Sequence, residues 1–348
     1  MRLFSFSTFR TSALATLAAG ILLGTPQAGG AAGVAVVDGT ITYTAGADEA
    51  NDLELLFEPS DDGSSVVFRD GGATISPGDD CRRVDGGVAC DDTAIRPLSL
   101  HLGNRSDRLA MDDCIGDDRR ISVWGSRGND VVSIGSCVGA YVTVNGGAHD
   151  DRIATSLNWS RGSTLYGGDG NDALNVREGG YAFLYGGPGH DDLGYTSNIY
   201  DPEAPTEDVK VYGDSGNDTI SPAPWSFDPR TVFAGTDGKD TLSFAGWGEG
   251  EVWFDWASCA LCDLETVVGS PYDDTIFGDA GPNTIRSGDG NDTVDARGGT
   301  DYVYSGAGDD AVTANDGTWD TIRCGDGLAD TVFADRRESL GECEIVHR

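Results

Sequence analysis

The feature that most constrains the fold is a nine-residue repeat that runs from Gly269 to Thr313 without a gap. Its five units read GSPYDDTIF, GDAGPNTIR, SGDGNDTVD, ARGGTDYVY and SGAGDDAVT. The eighth place is always Ile or Val, and the sixth place holds Asp274, Asn283, Asp292, Asp301 and Asp310. Self-similarity at a fixed period is typical of solenoids, so this part of the chain predicts stacked coils.

The same unit recurs upstream at wider spacing, as in GGDGNDALN and GDSGNDTIS. The sixth-place acids of these units are Asp130, Asp151, Asp172, Asp191, Asp218 and Asp240. Apolar segments such as AYVTV (140–144) and YAFLY (181–185) stand before most of them. We therefore expect one acidic turn per coil of roughly 20 residues in this half, and an acidic turn on both sides of each coil further on.

The pattern divides the chain into five segments. We expect a secretory signal in 1–32, an irregular β segment leading into the solenoid in 33–118, degenerate coils with insertions in 119–268, regular repeats in 269–333 and a C-terminal closure in 334–348. Degenerate or ten-residue units place further acids at Asp107, Asp320 and Asp330. The predicted fold class is all-β, a parallel β-roll or β-helix solenoid.

The charge of the chain restricts its partners. Its 23 basic and 58 acidic residues give a formal net charge of −35. Such a charge repels phosphate, which excludes unassisted binding to nucleic acid or to an anionic membrane surface. Cations and basic surfaces are the partners that this charge favours.

The N-terminus and the cysteines indicate an oxidising compartment. Arg2 and Arg10 precede an apolar run from Thr11 to Leu23, and small residues follow that run. This is the pattern of a cleavable secretory signal. The sequence has eight Cys, and an even number favours four disulfides. Eight cysteines permit 105 pairings. Sequence neighbours close the cheapest loops, which predicts the pairs 81–90, 114–137, 259–262 and 324–343. We expect a secreted, extracellular protein with disulfide-stapled ends.

The spacing of the acids calls for a cation. If only the eighth place faces inward, nine residues form half a coil, and Asp274, Asp292 and Asp310 line one side while Asn283 and Asp301 line the other. Stacked strands lie about 4.8 Å apart, so carboxylates in successive coils would repel by roughly 3.5 kcal/mol at an effective dielectric of 20. A hard divalent cation bound between these carboxylates replaces the repulsion by attraction. Calcium accepts 6 to 8 oxygen ligands in flexible geometry and suits glycine-turn carbonyls and carboxylates, whereas magnesium requires a stricter octahedron.

GGDGNDALN, SGDGNDTVD and SGAGDDAVT resemble the nonapeptide of the RTX, or hemolysin-type, calcium-binding repeat family. The resemblance implies a parallel β-roll that binds calcium between coils through glycine-turn backbone oxygens and the sixth-place Asp. GTITYTAGADEANDLELLF and the closing CGDGLADTVFADRRESLGECEIV are also similar to secreted calcium-binding repeat proteins of high-GC Gram-positive bacteria, and 21 Arg against 2 Lys agree with a GC-rich genome.

Carried over by motif, the resemblance implies calcium as the bound ion and two groups of ligands. The sixth-place carboxylates in well-formed turns are Asp172, Asp218, Asp274, Asp292, Asp301 and Asp310. Those in degenerate turns are Asp130, Asp151, Asp191 and Asp240. The matching turn glycines are Gly167, Gly170, Gly288, Gly290, Gly306 and Gly308. Asn283 replaces the carboxylate by an amide, so its site is expected to be weak or lost.

Other functions remain as alternatives. No GxSxG or HExxH motif is present, and no Ser/His/Asp spacing supports catalysis, so we expect no enzyme. A calcium-dependent polysaccharide lyase on a β-solenoid, or a carbohydrate-binding protein, is the alternative to a structural or adhesive calcium-binding protein. The segment 246–262, with Trp247, Trp253 and Trp256, is interpreted as a packing insertion, with a carbohydrate platform as the second interpretation.

Overall fold

The computed structural model describes residues 31–60, 63–112, 114, 118–156, 161–177, 181–196, 209–222, 232–248, 250–256 and 263–348. In these residues 32 strands form three sheets. No helix among them is long and apolar enough to cross a membrane. The expected all-β solenoid of parallel coils is confirmed.

The three sheets run along the solenoid. Sheet A contains β1 (Gly33–Val37), β2 (Thr40–Thr44), β5 (Ser76–Pro77), β8 (Leu98–His101), β10 (Arg120–Arg127), β12 (Tyr141–Ala148), β14 (Gly162–Asp169), β16 (Tyr181–Pro188), β18 (Val209–Gly216) and β20 (Val232–Gly238). Sheet B contains β3 (Asp52–Ser60), β4 (Gly63–Asp70), β6 (Cys81–Val84), β7 (Gly87–Asp91), β9 (Arg108–Met111), β11 (Val131–Gly135), β13 (Arg152–Ser156), β15 (Ala173–Arg177), β17 (Asp192–Thr196), β19 (Thr219–Pro222), β21 (Thr241–Ser243), β23 (Thr266–Val268), β25 (Thr284–Asp289), β27 (Tyr302–Ala307), β29 (Thr321–Asp326) and β31 (Ser339–Gly341). Sheet C contains β22 (Trp253–Asp255), β24 (Thr275–Phe277), β26 (Thr293–Asp295), β28 (Ala311–Ala314), β30 (Thr331–Ala334) and β32 (Ile345–His347).

Sheet B is the continuous face of the solenoid, and its partner changes along the chain. Sheet A lies opposite the N-terminal coils and ends at β20, and sheet C begins at β22. Equivalent residues in the earlier coils are separated by 19 to 27 residues, with 21 between Asp130 and Asp151 and 19 between Asp172 and Asp191. In the regular repeats the separation falls to 18, as between Asp274 and Asp292. The shorter coil follows from the nonapeptide, because two units complete one turn.

The core is a set of stacked apolar columns. On sheet C, Ile276, Val294 and Val312 lie in register in successive strands, and each is at most 1% exposed. Sheet B continues the same arrangement with Ile285 and Val303. Full burial of one such side chain contributes about 1.5–3 kcal/mol, so the inward eighth place of the repeat stabilises the stack directly.

The N-terminal end is closed by antiparallel strands. β3 pairs with β4, β4 with β7, and β6 with β7. Beneath this cap, Arg119 and Asp92 form an ion pair of 2.6 Å, and both side chains are almost fully buried. The guanidinium also donates to the Arg96 carbonyl at 2.7 Å, which supplies the further hydrogen bond that a buried charge requires.

Three of the expected disulfides are confirmed, namely Cys81–Cys90, Cys114–Cys137 and Cys324–Cys343. The first lies in the N-terminal antiparallel cap, and the last joins β29 to the residues beyond β31. The expected pair of Cys259 and Cys262 lies outside the described residues.

Candidate metal centre: two ladders of buried carboxylates

The sixth-place acids stack into two columns. The spine ladder consists of the residue immediately before each parallel strand of sheet B: Asn51, Asp107, Asp130, Asp151, Asp172, Asp191, Asp218, Asp240, Glu265, Asn283, Asp301, Asp320 and Glu338. The lateral ladder occupies the same position before the strands of sheet C that follow β22: Asp274, Asp292, Asp310, Asp330 and Glu344. The structure thus places every predicted carboxylate in one of two lines, with Asp274, Asp292 and Asp310 on one side and Asn283 and Asp301 on the other.

Hydrogen bonds between coils fix each ladder. One oxygen of a ladder carboxylate accepts the backbone N–H of the ladder residue in the preceding coil. Asp191 Oδ1 accepts from Asp172 at 2.8 Å, and Asp310 Oδ1 accepts from Asp292 at 2.8 Å. The same bond joins Asp191 to Asp218 across the longest insertion, a separation of 27 residues. The Oδ1 atom therefore accepts a backbone hydrogen bond from the neighbouring coil, whatever the length of the coil.

The second oxygen has no such partner. In the described part of the chain, the buried Oδ2 atoms without a hydrogen-bond partner belong to Asp107, Asp130, Asp151, Asp172, Asp191, Asp218, Asp240, Asp292, Asp301, Asp310, Asp320 and Asp330. Their side chains are almost fully buried. An unpaired buried oxygen costs about 1–3 kcal/mol, and a charged one costs more. A row of them indicates that the folded turns leave an oxygen for a further ligand.

Burial raises the pKa of these carboxyls. The pKa of Asp130 is raised to about 8, mainly by desolvation, with neighbouring ladder carboxylates adding to the rise. Desolvation raises the pKa of Asp191, Asp292 and Asp301 to about 7, although each accepts a backbone hydrogen bond that acts in the opposite direction. Near neutral pH the ladders therefore carry carboxylates that need a proton or a cation to offset their charge.

The glycines of the turn let the coils approach closely. A Cβ on Gly308 would collide with the Gly290 carbonyl oxygen, and one on Gly306 would collide with that of Gly288. All four have φ between 106° and 136°, which side chains rarely adopt. Their carbonyl oxygens therefore point along the solenoid toward the next coil.

The earlier turns repeat this arrangement around two predicted glycines. Gly170 presents its carbonyl oxygen to the Cα of Gly189. Gly167 stands in the first place of its turn, where a Cβ would occupy the position of Asp172 Oδ2. The second carboxylate oxygen thus packs inside its own turn, against a backbone that only glycine keeps open.

Fifth-place side chains form a second, exposed line of hydrogen bonds in the opposite direction. The side chain of one coil accepts the N–H of the next, as Asn171 does from His190 and His190 Nδ1 does from Asn217, at 2.8 and 2.7 Å. Asp273 and Asn291 continue the pattern at 2.7 Å. His190 is therefore an acceptor within the turn. Sequence reasoning missed this role, although Asn, Asp or His in the fifth place was its signal.

Some ladder positions differ from the rest. Both Asp274 oxygens have donors, because Oδ1 accepts from Val252 N and Ser270 Oγ and Oδ2 accepts from Ser270 N. Asn283 exchanges hydrogen bonds with Asp279 at 3.0 and 3.2 Å. These two positions have fewer free oxygens than their neighbours.

Several ladder members were absent from the sequence-based ligand set. Asp107, Asp320 and Asp330 stand in degenerate or ten-residue units, and Glu265, Glu338 and Glu344 replace Asp. Except for Glu344, whose Val346 is exposed, their signal was the acid two residues before a Leu, Ile or Val that packs on the core, irrespective of the glycines.

The tryptophan segment is mainly a packing element. Trp247 and Trp256 are 6% and 5% exposed, and their Nε1 atoms donate to the Pro222 and Leu264 carbonyls. Trp253 is 62% exposed on sheet C and lies beside Phe277. The packing interpretation is confirmed for the first two residues.

The donor set of the turns fits calcium. Carboxylate and carbonyl oxygens are the ligands that this hard cation takes, in flexible geometry. No group of three or more His, Cys, Asp or Glu side chains converges on one point in the described ranges. Backbone oxygens must then contribute much of any coordination shell, as closely stacked glycine turns allow.

Fold and ladders together define a parallel β-solenoid whose turns are built from acids and glycines. The model of the RTX calcium-binding nonapeptide repeat matches it in four copies, within residues 163–180, 207–221 and 268–318. These stretches of the chain are therefore similar to RTX calcium-binding repeats. No curated protein shows significant similarity to it.

Proposed function

We propose that this chain is a secreted protein whose coils are held together by calcium ions at the two carboxylate ladders, and that its role is structural or adhesive rather than catalytic. The observation that carries the proposal is the row of buried Oδ2 atoms without a hydrogen-bond partner. Calcium supplies a fixed positive charge that offsets the ladder carboxylates when it is bound.

The residues that would hold the ion are ladder carboxylates and turn glycines. Asp292 and Asp310 offer free Oδ2 atoms on the lateral ladder, and Asp172, Asp218 and Asp301 do so on the spine ladder. Carbonyl oxygens such as those of Gly288 and Gly290 point toward the next coil and add neutral ligands. Asp130, Asp151, Asp191 and Asp240 have the same free oxygen, so the degenerate turns belong to the proposed set. Asp274, with both oxygens satisfied, would have to release Ser270 first.

The energetic role of the turns follows from linkage. Ladder carboxylates are exposed and far apart in the unfolded chain and are buried in stacked turns in the folded one. Binding that requires the folded arrangement stabilises it by RT ln(1 + [Ca²⁺]/Kd), about 2.7 kcal/mol per site at one hundred times Kd. Extracellular calcium modules have Kd values on the order of 10⁻⁴ to 10⁻³ M. At about 1 mM calcium such sites would contribute about 0.4–1.4 kcal/mol each, so several of them together would order the coils.

Secretion is supported by the N-terminal sequence and by the disulfides. Arg2 and Arg10, the apolar run and the small residues after it have the pattern of a cleavable signal in residues 1–32. The Cys81–Cys90, Cys114–Cys137 and Cys324–Cys343 bridges suit an oxidising compartment. A structural or adhesive role outside the cell agrees with an elongated, acidic, calcium-dependent stack.

The test is a calcium titration by calorimetry, joined to far-UV circular dichroism and thermal melting in chelator and in excess calcium. We expect saturable binding of several ions, a higher melting temperature with calcium, and little effect of magnesium at the same concentration. An unchanged melt with no detectable binding would mean a metal-independent solenoid and would overturn the proposal.

A pair of matched variants locates the ions. Asp292→Asn/Asp310→Asn removes two ladder charges, and we expect fewer bound ions. Asp289→Asn/Asp326→Asn removes two exposed acids that lie two coils apart on the same side of the stack and serves as the control, because neither side chain belongs to a ladder. Equal stoichiometry in both variants would assign binding to surface acids instead.

A further inference from the structure

The outer face of sheet A carries a column of stacked rings. In register, one residue per coil, it consists of His101, Trp124, Asn145, Tyr166, Tyr185 and Tyr212. We call these residues, with the adjacent outward column described below, the aromatic face. Trp124 and Tyr166 are each 38% exposed. The ladders lie elsewhere, before the strands of sheets B and C, so the calcium proposal does not use this face.

The rings are held in a regular array. Tyr166 and Tyr185 have centroids 5.0 Å apart with planes at 9°, and Tyr185 and Tyr212 are 5.3 Å apart with planes at 10°. At the other end, His101 and Trp124 stack at 4.6 Å. The parallel register of the strands imposes the spacing, because neighbouring strands lie about 4.8 Å apart. Asn145 interrupts the rings between Trp124 and Tyr166 and places an amide there.

Polar but mostly uncharged side chains accompany the rings. The second outward column is Ser99, Ser122, Thr143, Thr164, Phe183 and Lys210. Hydroxyl groups thus lie beside three rings and beside Asn145, and Lys210 Nζ lies 5.7 Å from the centroid of the Phe183 ring. Because stacked rings cover one another's faces, the column offers ring edges along its length and open ring faces where Asn145 separates Trp124 from Tyr166, with hydrogen-bonding groups beside them.

The charge of this face differs from that of the molecule. The two columns contain no Asp or Glu, although the sequence has 58 acidic residues and a net charge of −35. Lys210 lies in the second column and Arg120 lies on β10 two residues before Ser122, whereas the exposed acid Asp214 lies on β18 two residues after Tyr212, at the border of the face. A basic protein would prefer the acidic turns to this surface, and the field of the whole chain would repel a polyanion.

We propose that the aromatic face binds an uncharged polysaccharide. A sugar ring presents C–H groups on its faces and hydroxyls on its rim. The ring faces of Trp124 and Tyr166 on the side of Asn145 match the former, and phenol, Asn145 and Ser/Thr groups match the latter. A polymer suits a periodic column, because one chain can contact several coils and add weak contacts together. The binding surface extends over at least the coils from Trp124 to Tyr212.

The test is affinity electrophoresis of the purified protein in native gels that contain calcium and one soluble polysaccharide each: hydroxyethylcellulose, mixed-linkage β-glucan or galactomannan. Hyaluronan serves as the polyanionic probe. We expect retardation by at least one of the three neutral polymers and little by hyaluronan. No retardation in any neutral gel, or retardation by hyaluronan equal to the strongest neutral polymer, would overturn the proposal.

The decisive comparison uses two double variants. Tyr166→Ser/Tyr185→Ser removes two stacked rings from the aromatic face, and we expect the apparent Kd to rise about tenfold or more. Tyr302→Ser/Tyr304→Ser removes two outward rings from sheet B and should leave retardation unchanged. Equal affinity of the first variant and the unaltered protein, or equal loss in both variants, would refute the assignment of the face.

Calcium titration and circular dichroism of the same variants separate the two proposals. A Tyr166→Ser/Tyr185→Ser variant that keeps its β signal and calcium stoichiometry but loses retardation supports the aromatic face. Retardation of a protein that binds no calcium would leave the aromatic face standing while the ladder proposal fails. If that double variant has lost its β signal, the milder Tyr166→Ser substitution repeats the comparison, and undiminished retardation of this folded variant would overturn the assignment.

Discussion

Asp292→Asn should change stability in opposite directions with and without calcium. Asp292 is 1% exposed, and burial raises its pKa to about 7 from an ordinary value of 3.8. At 1.36 kcal/mol per pH unit, ionising this buried group costs the chelated protein about 4 kcal/mol once the pH is well above 7. Asn removes that cost and keeps the Oδ1 acceptor that receives the Asp274 N–H at 2.7 Å.

The amide brings a cost of its own. Its N–H groups would stand where Oδ2 has no hydrogen-bond partner, which costs about 1–3 kcal/mol. The net gain in chelator at pH 8 is therefore about 2 kcal/mol, or a rise in melting temperature of roughly 3 °C for a chain of this length. With calcium at one hundred times Kd, a lost site forfeits about 2.7 kcal/mol of stabilisation, which exceeds the gain. The unaltered protein then becomes the more stable of the two.

Differential scanning calorimetry at pH 8, in chelator and in excess calcium, measures the change in melting temperature under both conditions. Asp289→Asn is the control, because Asp289 is exposed in the same turn and its loss should shift stability by less than about 0.5 kcal/mol in either buffer. A variant that melts below the unaltered protein in chelator would refute the charge argument. An undiminished response to calcium would remove Asp292 from the binding site.

Three further perturbations test other parts of the structure. In chelator, the melting temperature measured by fluorimetry should fall as the pH rises from 5 to 8. Burial raises the pKa of Asp130 to about 8 and of Asp301 to about 7, so the stability that is complete below the unfolded pKa near 4 is lost as the pH rises through the folded values. A melting temperature that rises over this range would contradict the ladder electrostatics. In a denaturant titration, Gly308→Ala should destabilise the fold by at least about 2 kcal/mol, because φ of Gly308 is 136° and the Gly290 carbonyl fills the Cβ position. Gly246→Ala is the control and should cost much less, because the space around Gly246 is open. Cys324→Ser should lower the free energy of unfolding by about 3 kcal/mol, because the Cys324–Cys343 bridge closes a loop with a sequence separation of 19. An equal midpoint of urea unfolding with and without reductant would argue against a stabilising role of the disulfide.

The period of the repeat made the solenoid predictable. Ile or Val two residues after each acid gave the inward columns, such as Val294 above Val312, and the nine-residue spacing gave two acidic sides. These features are local, since a turn and a three-residue strand need no distant contact to be recognised. The cysteine pairs were predictable for a similar reason, because each bridge joins sequence neighbours.

The identity of the free oxygens was not predictable in this way. Whether Asp274 keeps an oxygen free depends on Ser270, whose N–H and hydroxyl reach its carboxylate only in the folded turn. Asp191 and Asp218 stack although 27 residues separate them, because the backbone bond between coils overrides the insertion. Glu265 belongs to the spine ladder although no glycine turn in the sequence marks its position. Its Oε2 accepts the Asp240 N–H.

The sequence by itself determined the class of fold, the inward positions and the lines of acids, because these follow from a short period and from the chemistry of glycine, Asp and Val within one turn. Only the tertiary structure decided that sheet B continues while sheet A gives way to sheet C, which carboxylate oxygens stay unpaired, and that Tyr166, Tyr185 and Tyr212 stack on one face of sheet A. Those outcomes depend on the register between coils of unequal length, and register is set by hydrogen bonds and packing across the stack rather than by neighbours in sequence.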